Sequence, residues 1–274
     1  MKSIKYTLLT LSLAISIYAC TKKEEAEVDI ETQTSVDNSI AEQAFVEVVP
    51  VVNQIGVNEP GVNKTDTNSV NFSCAKYTIT GDTANFPSGG AVTITIDYGE
   101  SGCMDNDGRI RKGKVIAVFN NKWNVDGATA NITLENYSVG NVNYSGTMLL
   151  TRNSNTSLSY AVSNAKCTDG TYTISYECNK TIEKIQGANT DSIWIDDIYK
   201  FTGTSAGINR NGKKFTTKIV EPLIKKNACK WIDTGVIEVT PEGLATRTFN
   251  FGNGTCDDKA TVTINGNTYN FVLR

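Results

Sequence analysis

Six of the seven cysteines, those that follow Cys20, are the side chains whose number and spacing most clearly indicate chemistry in this sequence. They are Cys74, Cys103, Cys167, Cys178, Cys229 and Cys256. An even number of cysteines in an exported chain is typical of disulfide bonds. The N-terminal residues, described below, have the features of an export signal, so disulfides are the expected chemistry.

An internal repeat marks four of these cysteines. Residues 92–99 and 245–252 share alternating threonines and end in an aromatic residue followed by glycine, at the same distance before a cysteine. The two copies differ where Ile94 in the first corresponds to Arg247 in the second. We therefore expect two related hairpins, spanning 74–103 and 229–256, in different environments.

Hairpin geometry predicts how these four cysteines pair. Residues equidistant from a turn face each other across two antiparallel strands. The midpoint of each cysteine pair falls in a sequence of proline and glycine that favours a turn, at 87–90 and at 240–243. The alternative is buried free thiols. We predict the disulfides Cys74–Cys103 and Cys229–Cys256.

The remaining two cysteines fit this geometry less well. Residues 168–171 resemble a tight hairpin turn, which would place Cys167 opposite Tyr172 and Cys178 further along the strand. A direct bond would then require a bulge or a different turn. By elimination, Cys167 and Cys178 are still predicted to form the third pair.

The sequence contains no histidine. This removes the usual general base, the usual zinc ligand and any Ser–His or Cys–His catalytic pair. Carboxylates remain, and Asp196 and Asp197 lie between Trp194 and Tyr199. Adjacent residues on a strand point to opposite faces, so Asp196 and Asp197 cannot themselves be a catalytic pair. Alternation predicts an ordinary strand here, with Trp194 or Tyr199 inward and acids outward. We predict no catalytic residue, no enzymatic activity and no cofactor.

Two acidic segments follow the cysteines of the two repeats. Asp105 and Asp107 resemble the start of a calcium loop but lack its remaining acids, so a turn is the favoured interpretation. If the hairpins lay side by side, Asp257 and Asp258 could join them and bind calcium. That is a minor hypothesis, and no metal site is predicted. The basic residues at 109–114 are expected to form a solvated turn and strand edge.

The elements that hold these residues are mostly β-strands. Short segments rich in Thr, Val, Ile and aromatic residues alternate with Gly, Asn and Asp turns. The predicted strands are 72–80, 91–99, 113–122, 128–138, 143–152, 157–167, 171–182, 193–202, 214–221, 230–239, 244–251, 259–264 and 268–273. The fold class is therefore all-β, an antiparallel meander of about a dozen strands within 71–274, forming a large twisted sheet, a sandwich or an open barrel.

The segment before the strands is predicted to be a tether with one short helix. Residues 20–70 are acidic and polar at the start, and residues 21–36 read as flexible. Apolar residues at helical spacing predict a helix near 38–49, which Pro50 would end. Residues 53–69 are expected to be loop.

Residues 1–19 have the features of a signal peptide. Lys2 and Lys5 precede an apolar run that is too short to span a membrane, and Cys20 follows at the expected cleavage site. The segment resembles a bacterial lipoprotein signal, which implies lipidation of Cys20. The alternative is an ordinary signal peptide that is cleaved nearby.

Two motifs extend this resemblance into the β region. They are the run Asp97-Tyr98-Gly99, Gly102-Cys103, Asp107-Gly108-Arg109 and Arg111-Lys112-Gly113-Lys114, and the later segment 252–266. Both resemble a group of lipoproteins of the Bacteroidota that have a lipid-site cysteine, a short helix and a β domain. The resemblance implies architecture and location, and it carries no assigned activity.

Composition limits the classes of partner. The net charge is −3 and no basic patch is present, which argues against nucleic acid. We expect the chain to be lipid-anchored in the outer membrane, at the cell surface or on the periplasmic face. We expect it to act as a non-catalytic binding or surface module for a glycan or a protein. A structural periplasmic lipoprotein is the alternative, and a carboxylate-based glycan hydrolase is a distant third.

Overall fold

The computed structural model describes residues 29–59, 62, 74–105, 107–190 and 193–273. The predicted signal peptide, Cys20 and the first part of the tether lie outside the described residues. Within the described part, one α-helix, α1 (Gln33–Asn58), precedes fourteen strands. The strands are β1 (Lys76–Thr80), β2 (Val92–Asp97), β3 (Cys103–Met104), β4 (Ile110–Phe119), β5 (Thr129–Val139), β6 (Val142–Arg152), β7 (Ser157–Thr168), β8 (Thr173–Gln186), β9 (Ile198–Ile208), β10 (Lys214–Lys226), β11 (Thr234–Pro241), β12 (Arg247–Asn253), β13 (Lys259–Ile264) and β14 (Asn267–Val272).

All fourteen described strands belong to one antiparallel sheet. Thirteen of them, all except β3, pair with their neighbours in chain order from β1 to β14. The short β3 pairs with β4, which also pairs with β2. The sheet is not closed, and β1 and β14 form its two edges. The predicted all-β meander with a preceding helix is therefore confirmed, in the form of a single large open sheet.

Alternation along the strands separates a core face from an outer face. In β2, Val92, Ile94 and Ile96 are fully buried while the threonines between them are half-buried. The same alternation recurs in β13, where Ala260 and Val262 point into the core. One face of the sheet is thus apolar and needs a cover, which α1 supplies.

Helix α1 lies on the core face and is longer than predicted. It continues through Pro50 to Asn58, although proline in a helix interior costs about 3 kcal/mol. The buried side chains Phe45, Val49 and Ile55 lie on both sides of the proline, and burial of each contributes roughly 1.5–3 kcal/mol. The sheet stabilises the helix by more than the proline destabilises it. None of the described helices combines the length and hydropathy that crossing a membrane requires.

The prediction of a flexible tether is wrong for residues 29–36, and the prediction of a loop is wrong for residues 53–58. The described chain is already bound to the sheet at Asp29, whose carboxylate accepts hydrogen bonds from Ala245 N at 3.1 Å and Arg247 Nη2 at 2.6 Å. Glu31 accepts another from Arg247 Nη1 at 2.9 Å. Residues 29–36 are thus docked on the domain, and residues 53–58 are helix.

A candidate binding cleft beside the helix

The two repeat disulfides are present. The sulfurs are 2.15 Å apart in Cys74–Cys103 and 2.07 Å apart in Cys229–Cys256. The prediction of these pairs is confirmed, but neither bond joins two strands of one hairpin. Cys229 precedes β11 and Cys256 follows β12. The register pairs Lys76 with Asp97, so Cys103 lies beyond β2, in β3. The Cys74–Cys103 bond therefore fastens the chain before β1 to the short strand β3.

The predicted third pair is wrong. Cys167 and Cys178 are free and buried on adjacent strands. The β7–β8 register places Ile174 opposite Cys167 and Val162 opposite Cys178, which keeps the thiols apart along the hairpin. Burial is the main reason that the pKa of each thiol rises to about 12. Both cysteines therefore act as small apolar core residues.

The position at which the repeats differ has a structural role. Ile94 and Arg247 are both fully buried at corresponding positions of β2 and β12. Ile94 packs in the core, whereas Arg247 pairs with Asp29 and Glu31 at 2.6 Å and 2.9 Å. The second repeat thus holds the segment that enters the helix.

A cleft opens beside the second half of α1. We call it the helix cleft and define it by its lining: residues 46–58 of α1, the side chains of Asp105, Asp107 and Arg111, Lys184 of β8, residues 195–199 at the start of β9, and residues 225–230 at the end of β10 and in the β10–β11 connection. Its volume is about 200 Å³. Val51, Pro50 and Ile195 supply apolar surface, and charged side chains surround it. An apolar wall beside polar groups that can orient a ligand is typical of small-molecule sites.

The carboxylates at one side of the helix cleft form ion pairs with arginine. Glu47 pairs with Arg109 and with Arg111, the latter at 2.8 Å. Arg111 also pairs with Asp105 at 3.2 Å and with Asp107 at 2.7 Å. Burial alone would raise the pKa of Asp107, but the hydrogen bonds and charge of Arg111 hold it below its usual value. Each of these three carboxylates is therefore in an ion pair with arginine.

A second ion pair lies at the other side of the helix cleft. Asp197 is buried and accepts hydrogen bonds from Tyr199 at 2.8 Å and from Lys184 at 3.0 Å. Burial raises the pKa of Asp197, and the contact with Lys184 opposes the rise. The predicted strand with outward acids is wrong here, because residues 194–196 form a 3-10 turn and β9 begins only at Ile198. This turn brings Asp197 inward.

Lys225 is a buried charged residue of the helix cleft that forms no ion pair with a described carboxylate. It is 8% exposed, and its Nζ donates to the backbone carbonyls of Lys226, at 3.0 Å, and Cys229. Burial lowers the pKa of this amine, while the negative charges of Glu47 and Asp233 oppose the shift. Two of its three N–H groups are thus used by carbonyls, and no described carboxylate neutralises its charge.

The predictions for the acidic and basic runs are only partly right. Asp105 and Asp107 lie in a turn, as predicted, but they bind Arg111, and Asp257 Oδ1 caps Lys259 N at 2.9 Å in its own turn. Among the described residues, the single cluster with three candidate metal ligands is Cys229, Asp233 and Cys256. Both of its sulfurs are in a disulfide. The described residues therefore do not support the four-carboxylate calcium hypothesis.

The prediction of a solvated basic run is wrong for the two arginines. The side chains of Arg109 and Arg111 are 12% and 7% exposed, and Arg109 also lies 5.0 Å over the ring of Trp231. Lys112 is exposed, as predicted. The arginines connect the turn after the first repeat disulfide to the helix and to the chain that follows Cys229. Sequence analysis missed their burial because Glu47, the partner that the two arginines share, is more than 60 residues away.

A wider groove of about 860 Å³ runs along the first half of α1. Half-buried Tyr172 and Phe271 line it, together with Arg210. Arg210 pairs with Asp37 at 2.7 Å and stacks 3.8 Å over the ring of Tyr172. The charge of Arg210 in this groove is therefore balanced by Asp37.

Comparisons with protein-family models, with curated proteins and with solved structures found no match to this chain. The fold and the geometry of the cleft are therefore the basis for a functional proposal.

Proposed function

We propose that this chain is a lipid-anchored extracytoplasmic binding module that takes a small molecule in the helix cleft. The observation that carries the proposal is the cleft itself, a cavity of about 200 Å³ with an apolar wall and a buried, unneutralised lysine. The cleft carboxylates are held in ion pairs with arginine or lysine. This favours binding over an acid–base reaction, because general acid–base catalysis needs a carboxyl group that is free to exchange a proton.

The proposed location rests on the N-terminal residues and on the cysteines. The signal-like residues 1–19, Cys20 and the resemblance to lipoproteins of the Bacteroidota support export and lipidation. Two disulfides are typical of proteins in oxidising compartments. We propose the outer membrane as the site of anchoring.

Occupation of the helix cleft can be tested by blocking it. Ala228 is an exposed turn residue that lines the cleft. Ala228→Trp should fill the cleft, and Ala84→Trp, at an exposed turn remote from its lining, is the matched control. The full chain in detergent is screened by thermal shift against small acids, amines and neutral compounds. Stabilisation that is lost in Ala228→Trp and kept in Ala84→Trp supports the proposal. Equal stabilisation of all three proteins contradicts it.

The location is tested separately. Cys20→Ala should move the protein from the membrane fraction to the soluble fraction. Protease added to intact cells should remove a surface-exposed protein, whereas a periplasmic protein is cleaved only after the outer membrane is permeabilised. Retention of Cys20→Ala in the membrane would contradict lipid anchoring.

A further inference from the structure

We propose that the ligand of the helix cleft is a small monocarboxylic acid with an apolar body, and that Lys225 binds its carboxylate. This inference rests on the proposed function and adds the chemical class of the ligand. It follows from three properties of the cleft. These are the ion pairs among its charged side chains, the hydrogen-bond donor that Lys225 has left, and the apolar surface and volume that limit the ligand.

The carboxylates that line the helix cleft all have ion-pair partners among the described residues, whereas two of its lysines do not. Its carboxylates are paired: Glu47, Asp105 and Asp107 with Arg111, and Asp197 with Lys184. Lys225 and Lys230 form no ion pair with any described carboxylate. A buried ion without a direct partner is costly, so Lys225 favours a negatively charged group of a ligand beside it.

Asp233 is the other carboxylate that acts on Lys225, and it does not neutralise it. Asp233 is fully buried, and its nearest described cation is Lys226, at 3.6 Å. Its Oδ2 also accepts a hydrogen bond from Lys226 N at 3.3 Å. The carboxylate of Asp233 therefore forms its ion pair with Lys226 and not with Lys225.

Lys225 is positioned to bind a carboxylate. A protonated amine has three N–H donors and no acceptor. Two donors hold the carbonyls of Lys226 and Cys229. These bonds fix the side chain in the β10–β11 connection and leave one donor for a ligand. Lys230, over the ring of Trp231 at 4.7 Å, is half-buried on the same connection and adds positive charge.

The wall and the volume of the helix cleft define the rest of the ligand. Val51, Pro50 and Ile195 favour an apolar body. The volume of about 200 Å³ is slightly larger than the ~150 Å³ cavity that accommodates benzene in another protein. It is smaller than the ~300–1,000 Å³ of sites for drug-sized ligands. One ring or a short alkyl chain with a carboxylate meets these limits.

The experiment compares acids with their own amides. The full chain in detergent is titrated by calorimetry with benzoate, phenylacetate, hexanoate and octanoate, and with the four corresponding primary amides. An amide preserves size and shape but removes the charge. A hydrogen bond to a charged group contributes roughly 1.5–3 kcal/mol, so the preferred acid should bind about 10- to 150-fold more tightly than its amide.

The role of Lys225 is tested with Lys225→Gln, which keeps hydrogen-bond donors for the two carbonyls. Lys218→Gln, an exposed lysine on the same strand, is the matched control. The acid should lose about 10- to 150-fold in affinity in Lys225→Gln and be unchanged in Lys218→Gln. If Lys225→Gln does not fold, the comparison of acid and amide on the unmodified protein still decides the class.

The outcomes separate this inference from the proposed function. Amides that bind within about threefold of their acids, in a manner blocked by Ala228→Trp, would overturn the carboxylate class and leave the binding module intact. Preferential binding of inorganic phosphate or of amines would also overturn it. Absence of binding by all eight compounds at about 1 mM would overturn the inference. If the thermal-shift screen also gave no stabilisation that depends on Ala228, the proposed function would fail as well.

Discussion

Replacing Glu42 with glutamine should strongly destabilise this protein. Glu42 lies on α1 and Lys180 on β8, and both side chains are fully buried in an ion pair. Tyr176 also donates to Glu42, at 2.9 Å, and burial keeps the pKa of its hydroxyl well above the ordinary value. Glu42→Gln would leave the ammonium group of Lys180 buried without a counterion. Breaking a buried pair in this way costs about 3–5 kcal/mol.

The assay is equilibrium unfolding in urea together with thermal melting. For a protein of this size 1 kcal/mol corresponds to roughly 2–4 °C, so the midpoint should fall by roughly 6–20 °C. The triple variant Glu42→Leu/Tyr176→Phe/Lys180→Met removes all three polar partners at once. It should recover most of the loss, because replacing a whole buried network with apolar groups is often neutral.

The surface pair of Lys200 and Glu183, at 2.6 Å, is the matched control. Its side chains are 33% and 47% exposed, so Glu183→Gln should cost less than about 1 kcal/mol. A loss below about 1 kcal/mol for Glu42→Gln would refute the reasoning. A triple variant no more stable than the single variant would refute it too.

Three further predictions concern the helix, the entry segment and the free thiols. Gly56→Ala should destabilise by about 1–3 kcal/mol in urea unfolding although alanine favours helices, because a Cβ would lie 2.6 Å from the Trp123 ring; unchanged stability would contradict this packing. Arg247→Met should speed amide hydrogen exchange at residues 29–32, since it removes both ion pairs of this segment. The change in global stability should be smaller than for Glu42→Gln, because the carboxylates left behind are 12% and 22% exposed and can be solvated. Unaltered exchange there would show that other contacts hold the segment. Cys167 and Cys178 should resist iodoacetamide in the native protein and react only after unfolding with the disulfides intact, as peptide mapping would show; labelling under native conditions would contradict their burial.

The strands could be predicted from sequence because local signals specify them. Alternation and turn residues gave thirteen predicted strands, and the structure adds β3, whose two residues are too short for any periodic signal. The predicted start of β9 at residue 193 is wrong because the alternation of apolar and acidic residues there is also compatible with the 3-10 turn at 194–196. The predicted end of α1 at Pro50 is wrong because the sequence around the proline does not show that the sheet packs against the helix on both sides of it.

The candidate site could be predicted only in part. The repeat located two disulfides correctly because both partners lie near the same turn sequence. The helix cleft is built from four chain segments that are distant in sequence, and no local pattern relates Glu47 to Arg111 or Lys225 to Pro50. Charged residues were expected at the surface, which is the common case. Arg111, Lys180 and Arg247 are exceptions because each has a distant carboxylate partner.

The position of α1 before all the described strands has a consequence for the order of folding. Neighbouring strands are joined mostly by short connections, so hairpins can form within about 1–10 μs. The polar contacts of α1 and its entry segment instead join residues separated by 138 positions in Glu42–Lys180 and by 218 in Asp29–Arg247. Such contacts require late strands to be in place. We expect the sheet to assemble progressively while the helix, although first in the sequence, completes the core last. A chain truncated before β12 would therefore retain most of its strand pairs but lose the anchor of its own N-terminal segment.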